Sequence, residues 1–193
     1  EPIEVPQGDQ IKEVKGKKLL VKAGAFWQRH RNAPETLSSA FLELAKLNSG
    51  EHLLDLYGGV GLFTSVAIDQ LGAGGRVDLI ESSIPATESA RENFKNLQNV
   101  NVIREDVAKA LKNIKRADVV VLDPPRAGAG AEVVHQLLRI NPSRIVYVAC
   151  DPASLARDVK QFVDAGWKLG RIDGYDLFPM TQHIETISLL LPN

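Results

Sequence analysis

The chain's only cysteine, Cys150, closes an apolar run, RIVYVAC, and is followed by Asp-Pro. One cysteine excludes an intramolecular disulfide and a cysteine-rich metal cluster within the chain, leaving either a small core thiol or a nucleophile. A second chemical group, Asp123, ends the run ADVVVLD, and the two prolines after it stiffen the loop that leads to Arg126. A third, Glu185, opens ETISLLL, where it is either a base or a solvent-facing strand acid. His183, two residues earlier, would share its face of the pleat and is expected to be structural or substrate-contacting rather than catalytic.

Upstream, DLYGGVGLF places glycines at 58, 59 and 61 between an apolar run and a helical stretch. Missing Cβ atoms there let a ligand approach the backbone and the helix start, although a tight strand-to-helix turn needs the same residues. The spacing is not GxGxxG. Glu81 ends RVDLIE at the place where a carboxylate accepts both ribose hydroxyls of a nucleoside cofactor, or is simply a solvated strand-end acid. Asp106 closes NVIRED and either accepts from an adenine amino group or caps the helix that follows. A glycine turn with two such acids and no phosphate-binding base fits S-adenosylmethionine better than a dinucleotide. No metal site is expected.

These residues need a scaffold, and the pattern supplies one. Apolar strand-like runs (HLLDLY, RVDLIE, NVIRED, ADVVVLD, RIVYVAC) alternate with helical stretches near 62–71, 85–97, 131–139 and 153–165. A helix from Pro34 is expected to run until Gly50 stops it, and a final strand pair ends the chain. Strands this apolar imply a mostly parallel sheet covered on both faces, a doubly wound, Rossmann-like α/β domain. In such sheets ligands bind beyond the carboxyl ends of the strands. Nearly all the residues singled out above sit there.

At 193 residues and 44% hydrophobic content one domain is the default. Residues 1–16 read as a linker or tail and 17–193 as the catalytic domain. The start EPIEVPQGDQ has neither the basic nor the apolar region of a signal peptide, and no apolar run reaches the roughly 18 residues of a membrane span, so a cytoplasmic monomer is expected. Net charge is -1, yet residues 1–31 hold seven Lys/Arg against four acids, a local basic edge or merely a solvated lysine-rich strand.

Taken in order, FWQ (26–28), DLYGGVG (55–61), DPPR (123–126), ACDP (149–152) and FPMTQHIE (178–185) resemble the RNA uracil-5-methyltransferase family, whose members methylate tRNA or 23S ribosomal RNA. The resemblance implies a seven-stranded class I methyltransferase sheet, S-adenosylmethionine as cofactor, RNA as partner, Cys150 as nucleophile and Glu185 as base. It also implies cofactor contacts from Gln28, Tyr57, Gly59, Glu81, Asp106 and Asp123, with Asp123 also near the target uracil. The chemistry explains the pairing: C5 of uracil is a poor nucleophile until a thiolate adds to C6, and a carboxylate must later remove the C5 proton. Enzymes that methylate exocyclic amines carry an aromatic after Pro-Pro, where this chain has Arg126. The alternatives are a cytosine-5 RNA methyltransferase and a silent fragment that binds cofactor or RNA.

Three positions depart from the family pattern. Gly58 stands where cysteine or alanine is common, Leu62 replaces an asparagine, and Asp151 replaces the asparagine after the cysteine. An unpaired Asp151 would disfavour a thiolate, unless an arginine or the helix start at Pro152 offsets it. The N-terminal β-barrel and central domains usual in the family are not recognisable, so isolated RNA binding is expected to be weak and salt-sensitive.

Overall fold

A computed structural model describes residues 8–177, 180–181 and 184–193. Its centre is a seven-stranded sheet in the order β5-β4-β3-β6-β7-β9-β8. The strands β3 (His52–Leu56), β4 (Arg76–Glu81), β5 (Val100–Arg104), β6 (Val119–Leu122) and β7 (Arg144–Ala149) run parallel. β9 (Glu185–Leu191) is antiparallel to β7, and β8 (Lys168–Tyr175) is antiparallel to β9 at the edge. This is the doubly wound sheet expected from the alternation of runs.

Every residue of β3 and β6 is buried, because helices cover both faces. On one side α1 (Ala33–Ala45) and α2 (Leu62–Leu71) pack over Leu53, Val119 and Val121, with Phe41 and Phe63 edge to face at 5.2 Å. On the other, α4 (Val107–Leu111), α5 (Gly130–Ile140) and α6 (Pro152–Asp164) pack over Leu54, Leu56 and Val120. The period-2 alternation of β3 thus feeds two cores at once. Helix α3 (Ile84–Asn93) is shorter than the stretch expected to Leu97, because Phe94 leaves helical geometry at φ -113°. Its ring fills the space beside Gly61, where a Cβ would lie 2.2 Å from it.

Two boundaries differ from the sequence reading. Helix α1 does not reach Gly50; it stops at Lys46, which adopts φ 42° while its N–H bonds to Leu42. Nor is the 1–16 stretch a tail throughout: β1 (Gln10–Val14) pairs antiparallel with β2 (Lys17–Val21). Lys15 and Gly16 turn the hairpin with φ of 46° and 73°, a left-handed pair matching strand twist. The polar residues of β1 obscured it, since only Val14 is buried.

The hairpin straps down onto the helices. Asn93 pairs with the Leu20 backbone in both directions, at 2.7 and 3.1 Å, and Ser89 accepts from Lys22 N. Lys15, Lys17 and Lys22 form ion pairs with Glu35, Asp69 and Glu88 at 4.0, 2.6 and 3.0 Å. Much of the basic front edge is therefore matched to acids of α1, α2 and α3.

Candidate active site

Strand β3 delivers the first part of the site. After Leu56 the chain turns at Tyr57 and Gly59, both left-handed at φ 57° and 55°, and enters α2 through Gly61 at φ 96°. Gly58 leaves no room for a side chain: a Cβ would sit 2.7 Å from Leu79 and 3.1 Å from Asp55. That packing accounts for glycine at a position where the family tolerates more. Glu81, at the neighbouring strand end, accepts from Gly59 N at 3.1 Å and from Ser83 N at 2.7 Å, so its carboxylate is anchored beside the glycine turn.

Asp55 opens the DLYGGVG motif, but the sequence reading gave it no role of its own. It is fully buried in the middle of an apolar strand, and one oxygen accepts from Thr64 N and Oγ1 at 3.0 and 2.6 Å. Among the described residues the other, Oδ1, has no hydrogen-bond partner. Burial, opposed by the Thr64 bonds and reinforced by Glu81, pushes its carboxyl up to about 6. An acid inside HLLDLY was the available signal, because buried carboxylates need a reason.

Asp106 caps α4, accepting from Lys109 N at 3.1 Å, so the structural alternative raised for it is realised through Oδ1. Tyr57 lies among these acids, and burial, Asp106, Asp158 and Glu81 raise its phenol to about 12. The crevice beyond the strand ends is lined by Phe26, Trp27 and Gln28, by the Tyr57–Val60 turn, and by Asp123. Gln28 Nε2 donates to Asp123 Oδ2 at 3.3 Å, joining the loop before α1 to the end of β6. Phe26 is 64% exposed at the crevice lip.

The reacting groups of the sequence reading converge at three neighbouring strand ends. β7 lies between β6 and β9, and the last register pair of β7 and β9 is Ala149 with Thr186. One step further places Cys150 opposite Glu185, with Asp123 ending the strand on the other side. The charges couple: desolvation raises the Cys150 thiol, Glu185 and Asp123 raise it further, and Arg126 opposes them. Desolvation raises Glu185 too, with Arg126 again opposing. Burial, Glu185 and Asp55 push Asp123 up to about 8.

Asp151 turns out to serve the helix. It caps α6, accepting from Ser154 N at 2.8 Å, and that bond holds its carboxyl below the usual range. Of the FPMTQHIE stretch, Phe178, Pro179, Gln182 and His183 lie outside the described residues. Among the described residues no cluster of His, Cys, Asp or Glu could hold a metal ion, and no helix is long and apolar enough to cross a membrane.

The sheet order and the crevice at the ends of β3, β4 and β6 define a class I methyltransferase fold. A Thermus thermophilus protein, TrmN, shares that fold at 20% identity, with a TM-score of 0.63 over 83% of this chain and 49% of that one. The family model for tRNA (uracil-5-)-methyltransferase matches residues 9–192, and the chain belongs to that family. An RNA methyltransferase of Streptomyces avermitilis is 44% identical over 92% of this chain and 41% of its own length. One from Thermotoga maritima is 36% identical over 96% and 42%. The Pyrococcus abyssi tRNA (uracil-54, C5)-methyltransferase, solved with S-adenosyl-L-homocysteine, superposes with a TM-score of 0.81 at 30% identity, covering 95% of this chain and 44% of that one. The chain thus spans roughly two fifths of the length of these relatives.

Proposed function

We propose that this domain methylates C5 of a uridine in RNA, with Cys150 as nucleophile and Glu185 as base. The observation that supports the reading is the register of Ala149 with Thr186, one residue short of Cys150 and Glu185, while Asp123 follows the end of the adjoining strand. The thiolate adds to C6, which places electron density on C5. S-adenosylmethionine, when bound, supplies an electrophilic methyl group. Glu185 then takes the proton from C5, and the electrons of that bond expel the thiolate from C6. Burial suits Glu185 to this, since a carboxylate with a raised pKa is a stronger base.

The residues present fit the cofactor. The turn at 57–61 brings backbone close to the crevice with little Cβ bulk, Glu81 is fixed for a ribose diol, and Asp106 keeps a second oxygen beyond its cap. The unsatisfied Oδ1 of Asp55 lies beneath that turn and favours a ligand carrying positive charge. Gln28, Tyr57, Gly59 and Asp123 complete the proposed contacts. The target uridine must leave its stack to enter the crevice. Among RNA classes, tRNA has the support of the Pyrococcus abyssi relative.

The test is incubation of the protein with S-adenosylmethionine and RNA carrying 5-fluorouridine. Fluorine cannot leave as a proton, so the expected result is an RNA–protein adduct that survives denaturing electrophoresis and is absent with Cys150→Ala. No adduct with wild type, alone or joined to the N-terminal domains of a relative, rejects the reading.

A further inference from the structure

Asp158 is a fully buried carboxylate outside the reacting groups, and it is unusually rich in donors. Its Oδ2 accepts from Tyr147 OH at 2.8 Å, Ala129 N at 2.8 Å and Gly130 N at 3.2 Å. Its Oδ1 faces the Arg157 guanidinium at 3.4 Å, and Arg157 Nη2 donates to Ala127 O at 2.5 Å. Between them Gly128, at φ 82°, presses so near that a Cβ would lie 2.6 Å from Asp158 Oδ2.

The partners fall into two groups with one meaning. Ala127 and Ala129 belong to the loop that leaves Asp123 and carries Arg126 towards α5, of which Gly130 is the first residue, whereas Tyr147 stands on β7, three residues before Cys150. Helix α6 is capped by Asp151, directly after Cys150. The same helix therefore fixes the cysteine turn with its first residues and grips the Arg126 loop two turns later.

Asp158 lies in the buried stripe of Leu155, Val159 and Phe162, where an apolar side chain would serve packing at least as well. What the carboxylate adds is aim. We propose that Asp158 is a positioning residue that holds the 123–129 loop, and through it Arg126, at the Cys150 strand end. The proposal rests on Cys150 being the reacting thiol.

Because Cys150 is the only cysteine, iodoacetamide alkylation reports on it alone. Arg126 opposes the groups that raise this thiol, so displacing it moves the alkylation profile to higher pH. Asp158→Ala is expected to slow alkylation at pH 8 by about three- to tenfold, where tenfold corresponds to one unit in pKa. Arg126→Gln should do the same, and the double variant no more than either, since both act through one charge. Asp158→Asn decides the matter if the alanine variant does not fold. Whichever way its amide faces, the NH2 opposes either the three donors on Oδ2 or the Arg157 guanidinium.

A folded Asp158→Asn or Asp158→Ala protein with a wild-type alkylation profile overturns the proposal, even if its melting temperature has fallen. Additive effects in the double variant overturn it as well. The measurement needs no RNA, so it can fail while the fluorouridine adduct forms, or succeed while that adduct does not.

Discussion

Gln28 and Asp123, 95 residues apart, meet at 3.3 Å across the mouth of the crevice, and theirs is the bond that ties the loop before α1 to the end of β6. One net hydrogen bond contributes about 0.5–1.5 kcal/mol, enough at its upper end for about a tenfold change in affinity. Gln28→Ala should therefore weaken S-adenosylhomocysteine binding by up to about tenfold in calorimetry and lower the melting temperature by no more than a few degrees, because the half-buried Gln28 adds little packing beyond this bond. An unchanged affinity would remove Gln28 from the cofactor contacts.

Asp123 also sets a pH dependence. Its carboxyl is pushed up to about 8 in the fold, against about 4 in an unfolded chain. Between those values the native state binds the extra proton, so this group's contribution to stability falls as pH rises from about 4 through 8. Asp123→Asn removes the titration. Its melting temperature should gain on wild type by a few degrees between pH 5 and pH 9, in a thermal series without ligand. A constant difference across that range would show that Asp123 does not titrate there.

The sheet could be read because its central strands are mostly apolar on both faces: β6 is so throughout, β7 after Arg144, and β3 apart from His52 and Asp55. The strand-end residues followed directly, which is why Asp123, Cys150 and Glu185 could be named. Hairpin β1–β2 was half missed because its stability comes from Asn93, Ser89 and the lysine pairs, which no local pattern reveals. Asp55, named only as the start of DLYGGVG, was given no role, and Asp158 was missed, for another reason. Each interrupts an apolar pattern, in HLLDLY and in the Leu155–Val159–Phe162 stripe, and only the fold shows which donors meet them.

If Glu185 is the base and Cys150 the nucleophile, removing Glu185 should reveal the thiol's work on ordinary RNA. With Glu185→Gln the C5 proton of a methylated adduct has no carboxylate to receive it, and the bond from Cys150 to C6 cannot be released at the normal rate. Unmodified substrate RNA should then accumulate as a covalent adduct visible after denaturation, while turnover falls by about 100-fold or more. Turnover lost without adduct would assign Glu185 to binding or folding instead.

Arg29 and Arg31 concern the RNA itself. Both are exposed on the loop that follows Gln28, and among the described residues neither has an ion-pair or hydrogen-bond partner, whereas Lys15, Lys17 and Lys22 are held by acids. Pairing with Glu35, Asp69 and Glu88 leaves those lysines less able to neutralise phosphate. The crevice lined by Gln28 also holds Asp123, and Glu81 is anchored beside its glycine turn, so an approaching polyanion needs compensating charge at the rim. If the two arginines contact phosphates, Arg29→Ala/Arg31→Ala should weaken RNA binding and reduce the slope of log affinity against log salt by about one to two. Lys17→Ala/Lys22→Ala should leave that slope nearly unchanged while lowering the melting temperature through the lost strap. A fluorescence-anisotropy titration of labelled RNA at several salt concentrations measures both variants, and the opposite ranking would place the RNA on the hairpin instead of the crevice rim.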